Sequence, residues 1–137
     1  MTLFIDSDIL LDAVLRREPY YQPAVQILSF VDRGDHSLCI SAHNLLNVYY
    51  FTRKHAGKPA AIKSVGLLEN KLRVLPTDSI AIRTAMATAF NDIEDAVQYS
   101  IALANRCDMI ITRNLKDYKK SQLPVMTAEQ YLKTTRK

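Results

Sequence analysis

The stretch Phe4-Ile5-Asp6-Ser7-Asp8-Ile9-Leu10-Leu11-Asp12 decides the fold, because it places an aspartate between a buried strand and a helix. Leu3–Ile5 is a short, wholly apolar run, as expected for a strand buried in a parallel sheet. From Ile9 onward the apolar residues recur at helical spacing. Asp6 and Asp8 are residue types that commonly cap helices, so this stretch alone leaves open whether they do more than start one.

The same alternation of strand and helix continues along the chain. Short apolar runs predict four more strands, at Ser37–Ile40, Leu72–Leu75, Met109–Ile111 and Pro124–Met126. Longer segments predict helices at Ile9–Leu15, Pro23–Arg33, Asn44–Lys54, Ala60–Asn70, Ser79–Ala89 and Asp92–Arg106, and a last helix that starts at Thr127. Ser41 is suited to cap the third helix, and Thr127 with Gln130 has the spacing of a capping box.

This alternation predicts an α/β fold, because parallel strands need crossover connections that are usually helices. We expect one three-layer α/β/α domain over residues 1–137, with a central parallel sheet of four to five strands. A chain of 137 residues is long enough to form one core without metal or disulfide support. Cys39 and Cys107 lie inside apolar runs and are predicted to be buried free thiols.

Composition narrows the class of protein. Hydrophobic residues make up 48% and charged residues 23%, as in ordinary globular domains. No apolar run approaches the ~18 residues of a membrane span, and the start lacks the features of a signal peptide. We therefore expect a cytoplasmic protein that does not act at a membrane.

The net charge of +4 comes with small basic clusters. Together these are compatible with an anionic partner such as RNA, although for each cluster alone solvated helix ends are the favoured explanation. They are Arg16-Arg17, Arg53-Lys54, Lys116-Lys119-Lys120 and Lys133-Arg136-Lys137.

Polar side chains follow three of the predicted strands, and parallel sheets place their sites beyond the carboxyl ends of the strands. These residues are Asp6, Ser7 and Asp8 after the first strand, Ser41 and His43 after the second, and Thr112, Arg113, Asn114 and Asp117 after the fourth. Acidic and amide groups are therefore expected to meet at one edge of the sheet.

The segment Asn91-Asp92-Ile93-Glu94-Asp95-Ala96-Val97-Gln98 adds three acids at the start of a helix, a place that the helix dipole favours without any function. Asp92 and Asp95 are three positions apart and share a face, whereas Glu94 is expected to point elsewhere. Carboxylates this close repel each other, and a bound cation relieves the repulsion.

The segment Ile110-Ile111-Thr112-Arg113-Asn114-Leu115-Lys116-Asp117-Tyr118 runs from a strand into a loop with an amide and a carboxylate, which an Asx-type turn also explains. Oxygen ligands of this kind suit Mg²⁺ or Mn²⁺ rather than zinc. The three histidines do not have zinc-ligand spacing, and there is no glycine-rich phosphate loop.

In this order and spacing, the three acidic motifs resemble the PIN-domain family. The resemblance covers nearly the whole chain and extends to the tail Leu-Pro-Val-Met-Thr-Ala-Glu-Gln-Tyr-Leu. It implies that Asp6 is the first acid of the site and Asp95 the third, with Asp92 as helper, while the fourth position falls on Asn114 or Asp117. Many relatives are metal-dependent ribonucleases, often the toxin of a toxin–antitoxin pair and commonly homodimeric.

The resemblance also implies a division of roles. Asp6 and Asp95 would hold Mg²⁺ or Mn²⁺ directly, and Asp117 would bind the ion or orient the attacking water. Asp92 and Asn114 would complete the ligand set. A supporting group of side chains would lie around the ligands, with Thr112 and Ser7 steadying the carboxylates; its members are Ser7, Asp8, Ser41, Asn47 and Thr112.

One position departs from the family pattern. Relatives usually carry a glutamate on the helix after the second strand, and here that place falls on Asn47. An amide offers an oxygen but no charge. A second hypothesis is therefore a PIN-like domain that binds RNA or a protein without cutting.

A third hypothesis is a phosphatase, because Ile-Asp-Ser-Asp also resembles the opening of the haloacid-dehalogenase family. That family needs paired acids at the end of a strand. In this sequence the pair Glu94-Asp95 is predicted to lie within a helix.

Overall fold

The computed structural model describes residues 1–135, so Arg136 and Lys137 of the basic tail cluster lie outside the described residues. All five predicted strands are present, and every pair of neighbours runs parallel. They are β1 (Thr2–Ile5), β2 (Ser37–Ser41), β3 (Arg73–Leu75), β4 (Met109–Ile111) and β5 (Val125–Met126). Their order in the sheet is β3-β2-β1-β4-β5, so β1 lies at the centre.

The helices occupy the segments between the strands. They are α1 (Ser7–Val14), α2 (Tyr21–Leu28), α3 (Ala42–Ala56), α4 (Lys58–Lys71), α5 (Ser79–Met86), α6 (Ile93–Ala104) and α7 (Ala128–Thr135), with 3-10 turns at Ser29–Asp32 and Leu115–Tyr118. The predicted three-layer α/β/α fold is confirmed. Most helix ends differ from the predicted ones by a few residues. The largest difference is in the helix predicted at Pro23–Arg33, which begins at Tyr21 and tightens into a 3-10 turn after Leu28, as helix ends often do.

Side chains of β1 alternate between two cores, as the pleat of a strand requires. Leu3 and Ile5 pack into one core with helices α1, α2 and α7. Phe4 faces the opposite layer and packs with α6 and with Ala85 of α5. Cys39 and Cys107 lie in this second core as free, buried thiols, as predicted.

Among the helices that begin at the carboxyl edge of the sheet, α1, α3 and α6 have polar caps that supply or support the acidic motifs. The Asp6 carboxylate accepts from the Asp8 N–H at 3.4 Å, and Asp92 accepts from the Asp95 N–H at 3.0 Å. Ser41 caps α3 through a reciprocal box with Asn44. The capping roles that the sequence left open are therefore real, and they fix three polar side chains at one edge.

Helices α1 and α6 end in the same way. Each is followed, after its last turn, by an arginine in the left-handed conformation, Arg16 with φ 53° and Arg106 with φ 57°. The N–H of Arg17 donates to the Asp12 carbonyl at 3.0 Å, and the N–H of Cys107 donates to the Ala102 carbonyl at 3.0 Å. These are the hydrogen bonds between the sixth and the first residue that define Schellman motifs. Within residues 1–135, no helix combines the length and the apolar character needed to cross a membrane.

Candidate active site

The carboxyl edge of the sheet holds a cleft of about 260 Å³, called the carboxylate cleft here. Its lining consists of Asp6, Ser7, Asp8, Leu11, Arg17, Asn47, Phe51, Asp92, Glu94, Asp95, Gln98, Asn114 and Asp117. The structure thus brings together eight of the ten site residues predicted from the sequence. The other two, Ser41 and Thr112, are fully buried and do not line the cleft.

Strand register fixes the position of Asp6. Ile5 pairs with Ile111 across β1 and β4, so the next residues, Asp6 and Thr112, are neighbours where the strands end. The Thr112 hydroxyl donates to Asp6 Oδ2 at 2.9 Å, as predicted for a residue that steadies this carboxylate. Asp6 is only 5% exposed, so its geometry is set by these contacts rather than by water.

A buried chain of hydrogen bonds supports the acids from behind. The Tyr118 hydroxyl donates to Asp6 Oδ2 at 3.0 Å and lies 3.4 Å from Asp95 Oδ1. Gln98 Nε2 donates to the Tyr118 oxygen at 3.2 Å, and Asn44 Nδ2 donates to Gln98 Oε1 at 2.8 Å. Burial and the charge of Asp6 raise the pKa of Tyr118, so its hydroxyl keeps its proton and acts as a donor.

Asp8 is held by the loop that follows β4. Its Oδ2 accepts from the Arg113 N–H at 3.1 Å and from Asn114 Nδ2 at 3.2 Å. Its Oδ1 is buried and finds no hydrogen-bond partner among the described residues. Such an oxygen is costly to bury unless something else satisfies it.

Crowding and burial shift the acids toward their protonated forms. Burial, followed by the charge of Asp6, raises the pKa of Asp8 to about 7. Burial, followed by the charges of Asp6, Asp92 and Asp117, raises the pKa of Asp95 to about 7. Burial also raises the pKa of Asp6, against the hydrogen bonds from Thr112 and Tyr118.

Two expectations about individual side chains are wrong. Glu94 does not point elsewhere but lines the cleft, because the start of α6 turns it toward α3; its Oε2 accepts from Asn47 Nδ2 at 3.5 Å. Ser7 does not hydrogen-bond a carboxylate. Its hydroxyl oxygen instead accepts hydrogen bonds from the side-chain amides of Asn44 and, at 3.4 Å, Asn47.

Ser41 is fully buried and reaches the site only through Asn44, which its backbone N–H and hydroxyl both contact. The paired acids Glu94-Asp95 lie in the first turn of α6, as predicted, and not at a strand end. The haloacid-dehalogenase arrangement is therefore absent from residues 1–135.

Several residues of the site were not singled out from the sequence. Gln98 and Tyr118 close two of the acidic motifs, and Arg17 belongs to the basic pair Arg16-Arg17, so these three carried a signal, whereas Asn44 and Phe51 carried none. The donor set fits a hard cation in its chemistry, since it consists of carboxylate and amide oxygens, one of them the unsatisfied Oδ1 of Asp8. Across the described chain, however, no three acidic, histidine or cysteine side chains are drawn together closely enough to enclose a metal ion.

These pKa values predict how stability depends on pH without a cation. The folded protein keeps protons on Asp8 and Asp95 up to about pH 7, whereas an unfolded chain releases them near 3.8. The folded state therefore binds more protons in between, and its stability falls as pH rises from about 4 to 7. Asp95→Asn should relieve part of this loss, so its gain in Tm over the parent should grow from pH 4 to pH 7 in chelator.

The control is Glu69→Gln, which removes an exposed carboxylate on α4 outside the cleft and should give no such gain. Melting curves of the three proteins at several pH values measure the effect. A gain for Asp95→Asn that is the same at pH 4 and pH 8 would contradict the raised pKa.

Three known proteins illustrate what this chain is similar to. Ribonuclease VapC1 of Aquifex aeolicus (strain VF5) is 24% identical over 134 residues, covering 94% of this chain and 92% of its own. A toxin–antitoxin complex from Klebsiella pneumoniae contains a chain with a TM-score of 0.68 at 21% identity, covering 93% of this chain and 98% of that one. Mycobacterium tuberculosis VapC20, described as a sarcin-ricin loop cleaving toxin, gives 0.65 at 12% identity, covering 79% and 86%.

The family model described as "PIN domain" matches residues 2–116. That stretch contains β1 with Asp6, the whole of α6 with its acids, and β4 with Asn114. The chain belongs to the PIN domain family.

Proposed function

We propose that this protein is a Mg²⁺- or Mn²⁺-dependent endoribonuclease, and that it is the toxin of a toxin–antitoxin pair. The observation that carries the proposal is the convergence of Asp6, Asp95 and Asp117 in one cleft at the carboxyl edge of the sheet. The similarity to a chain named ribonuclease and to a chain from a toxin–antitoxin complex supports it.

Asp6 and Asp95 are the proposed direct ligands, and Asp92, Asn114 and Asp117 complete the set. When bound, the ion would polarise the scissile phosphate and lower the pKa of an attacking water. Tyr118 and Thr112 keep Asp6 Oδ2 fixed by hydrogen bonds, which leaves Oδ1 with only the long contact to the Asp8 N–H. Asp117 is exposed and either binds the ion or orients the water.

A second cleft next to the first contains basic side chains, which favour an anionic substrate. It shares Asp92 and Asp117 with the carboxylate cleft and adds Lys116, Lys119 and Lys120 from the loop after β4. No carboxylate of the described chain lies within ion-pair distance of these lysines. Free ammonium groups beside an acidic site supply the positive charge that a polyanion needs.

The partners follow from the same proposal. The substrate is RNA, the inhibitor is a small antitoxin protein, and the site of action is the cytoplasm, with no membrane involved. The alternative is a degenerate PIN domain that binds RNA or protein without cleavage. Asn47, which lines the cleft at the place of the expected glutamate, is the observation that favours this alternative.

The first test is cleavage of single-stranded RNA by protein freed of any inhibitor. We expect cleavage with Mg²⁺ or Mn²⁺ and none in chelator. Asp6→Asn should lower the rate by at least about a hundredfold, since it removes a ligand charge, while the amide still caps α1 and preserves the fold.

The control is Asp32→Asn, an exposed acid outside the lining of the cleft, which should cleave like the parent. Cleavage that persists in chelator would rule out the metal mechanism. RNA binding without cleavage at any metal concentration would select the non-cleaving alternative.

The second test concerns Asn47. Its amide donates to Glu94, so a glutamate there would add a charge beside an existing carboxylate and increase the attraction for a cation. We expect Asn47→Glu to bind Mn²⁺ at least about tenfold more tightly by calorimetry. In chelator its Tm should be lower than that of the parent, because the two carboxylates repel.

Asn47→Gln is the matched control, because it adds the same methylene without the charge. It should leave Mn²⁺ affinity unchanged. If Asn47→Glu melts at a lower temperature without binding Mn²⁺ more tightly, Asn47 has only a structural role.

The third test concerns the homodimer, which the family resemblance implies and for which the exposed apolar residues of α3 are candidates. Val48 is in the core, but Leu46 and Tyr50 are 55% and 63% exposed and, four residues apart, share a face of α3. We expect light scattering at tens of micromolar to give twice the chain mass of 15.5 kDa. Tyr50→Glu should yield monomers, whereas Ile62→Glu, at an exposed position on α4, should not. A monomeric parent would contradict the proposal.

A further inference from the structure

The mouth of the carboxylate cleft carries two residues that the proposed hydrolysis does not use, Arg17 and Phe51. Among the described residues that line the cleft, there are six carboxyl groups and a single guanidinium, that of Arg17. Phe51 is their only aromatic side chain, and it is 46% exposed. A cation and an aromatic side chain in one cleft are the two groups that recognise a nucleotide, through its phosphate and its base.

The Arg17 backbone is fixed by the end of α1. Its N–H closes the Schellman motif on the Asp12 carbonyl, and its own carbonyl accepts from the Tyr20 N–H at 2.9 Å. The Arg113 guanidinium lies over the Tyr20 ring, 4.1 Å from its centre, which ties this loop to the end of β4. The loop therefore presents Arg17 at a defined place.

The Arg17 side chain makes no hydrogen bond to the described residues that would prevent it from binding a ligand. Asp12, the carboxylate beside it, is fully buried and already accepts from Arg113, Nε at 2.8 Å and Nη2 at 3.1 Å. Arg17 Nη1 is 4.0 Å from Asp12 Oδ1, beyond hydrogen-bonding distance, and the side chain is 34% exposed. Two guanidinium groups around one carboxylate leave one excess positive charge, and Arg17 carries it at the cleft.

Phe51 reaches the cleft from α3. It lies one turn after Asn47, so the two share the face that lines the cleft. The neighbouring Tyr50 is more exposed but lies outside the lining, with its ring 5.5 Å from that of Tyr49. Phe51 is therefore the aromatic side chain that a base entering beside the acids would meet.

We propose that Arg17 and Phe51 form a nucleotide subsite, in which Arg17 holds a backbone phosphate and Phe51 stacks on the base of a nucleotide next to the scissile bond. The proposal rests on the proposed ribonuclease function and adds the two residues that would hold a nucleotide beside the site. A base can stack on Phe51 only if it is unpaired, so the subsite selects single-stranded RNA or an extruded loop nucleotide.

The test measures binding of a short single-stranded RNA by fluorescence anisotropy, with Asp6→Asn as background so that the RNA stays intact. Adding Phe51→Leu should weaken binding roughly 5- to 100-fold, since leucine keeps the apolar surface but offers no ring face. The control Ile62→Ala, at an exposed apolar residue of α4 outside both the cleft and the proposed dimer face, should bind like the background protein.

Arg17 is tested through the salt dependence of the same affinity. Adding Arg17→Gln should reduce the slope of log affinity against log salt by about 0.7, the value for one lost phosphate contact to a single strand. Arg17→Lys should restore the slope, and Arg16→Gln, at the adjacent exposed arginine, should not change it. Melting curves establish that each variant is folded.

The outcomes separate this proposal from the proposed function. If the parent cleaves RNA but Phe51→Leu and Arg17→Gln bind it like their controls, the subsite is refuted and the ribonuclease stands. If the parent neither binds nor cleaves RNA, both are refuted. If Phe51→Leu changes only the mass measured by light scattering, Phe51 belongs to a protein contact and the subsite is refuted.

Discussion

The parallel pairing of β1 with β4 is the constraint on which the site depends. Because Ile5 pairs with Ile111, both strands end at the same level and deliver Asp6 and Thr112 side by side. Side chains alternate along a strand, so a shift of one residue in either strand would turn Asp6 into a core. The two cores on the faces of the sheet hold this register and thereby hold the acids.

The site is a compromise between burial and charge. Asp6, Asp8 and Asp95 are close enough that burial and mutual repulsion raise their pKa values, and this arrangement costs folding stability at neutral pH. The hydrogen-bond chain from Asn44 through Gln98 and Tyr118 offsets part of that cost, because its last donor points at Asp6. The same chain fixes the carboxylate where a cation would need it, which is how enzymes commonly prearrange polar groups.

Much of this could be predicted from the sequence, and the reason is local. Each acidic motif sits where a strand or a loop meets a helix, and the rule that parallel strands end at one edge brings the motifs together. The predictions that failed concern the directions of side chains, which depend on how helices pack on the sheet. The direction of Glu94 is set by how α6 packs on the sheet, and Asn44 becomes a hub only because Ser7 and Gln98 come from other segments. The pair Arg16-Arg17 stood out as a basic cluster, but no local pattern showed that Arg17 or Phe51 lies at the cleft.

The two Schellman motifs show a further property of this chain. The position that adopts the left-handed conformation is usually glycine, yet the chain has only three glycines and places Arg16 and Arg106 there. A side chain in this conformation costs on the order of 1 kcal/mol, and a positive charge at a helix C-terminus returns about half of that. Glycine at Arg106, remote from the cleft, would relieve the backbone strain but enlarge the ensemble of the unfolded chain. Compared with glycine, the arginines therefore add backbone strain to the folded state but reduce the conformational entropy of the unfolded chain. Both the left-handed backbone and the positive charge contribute to ending these two helices.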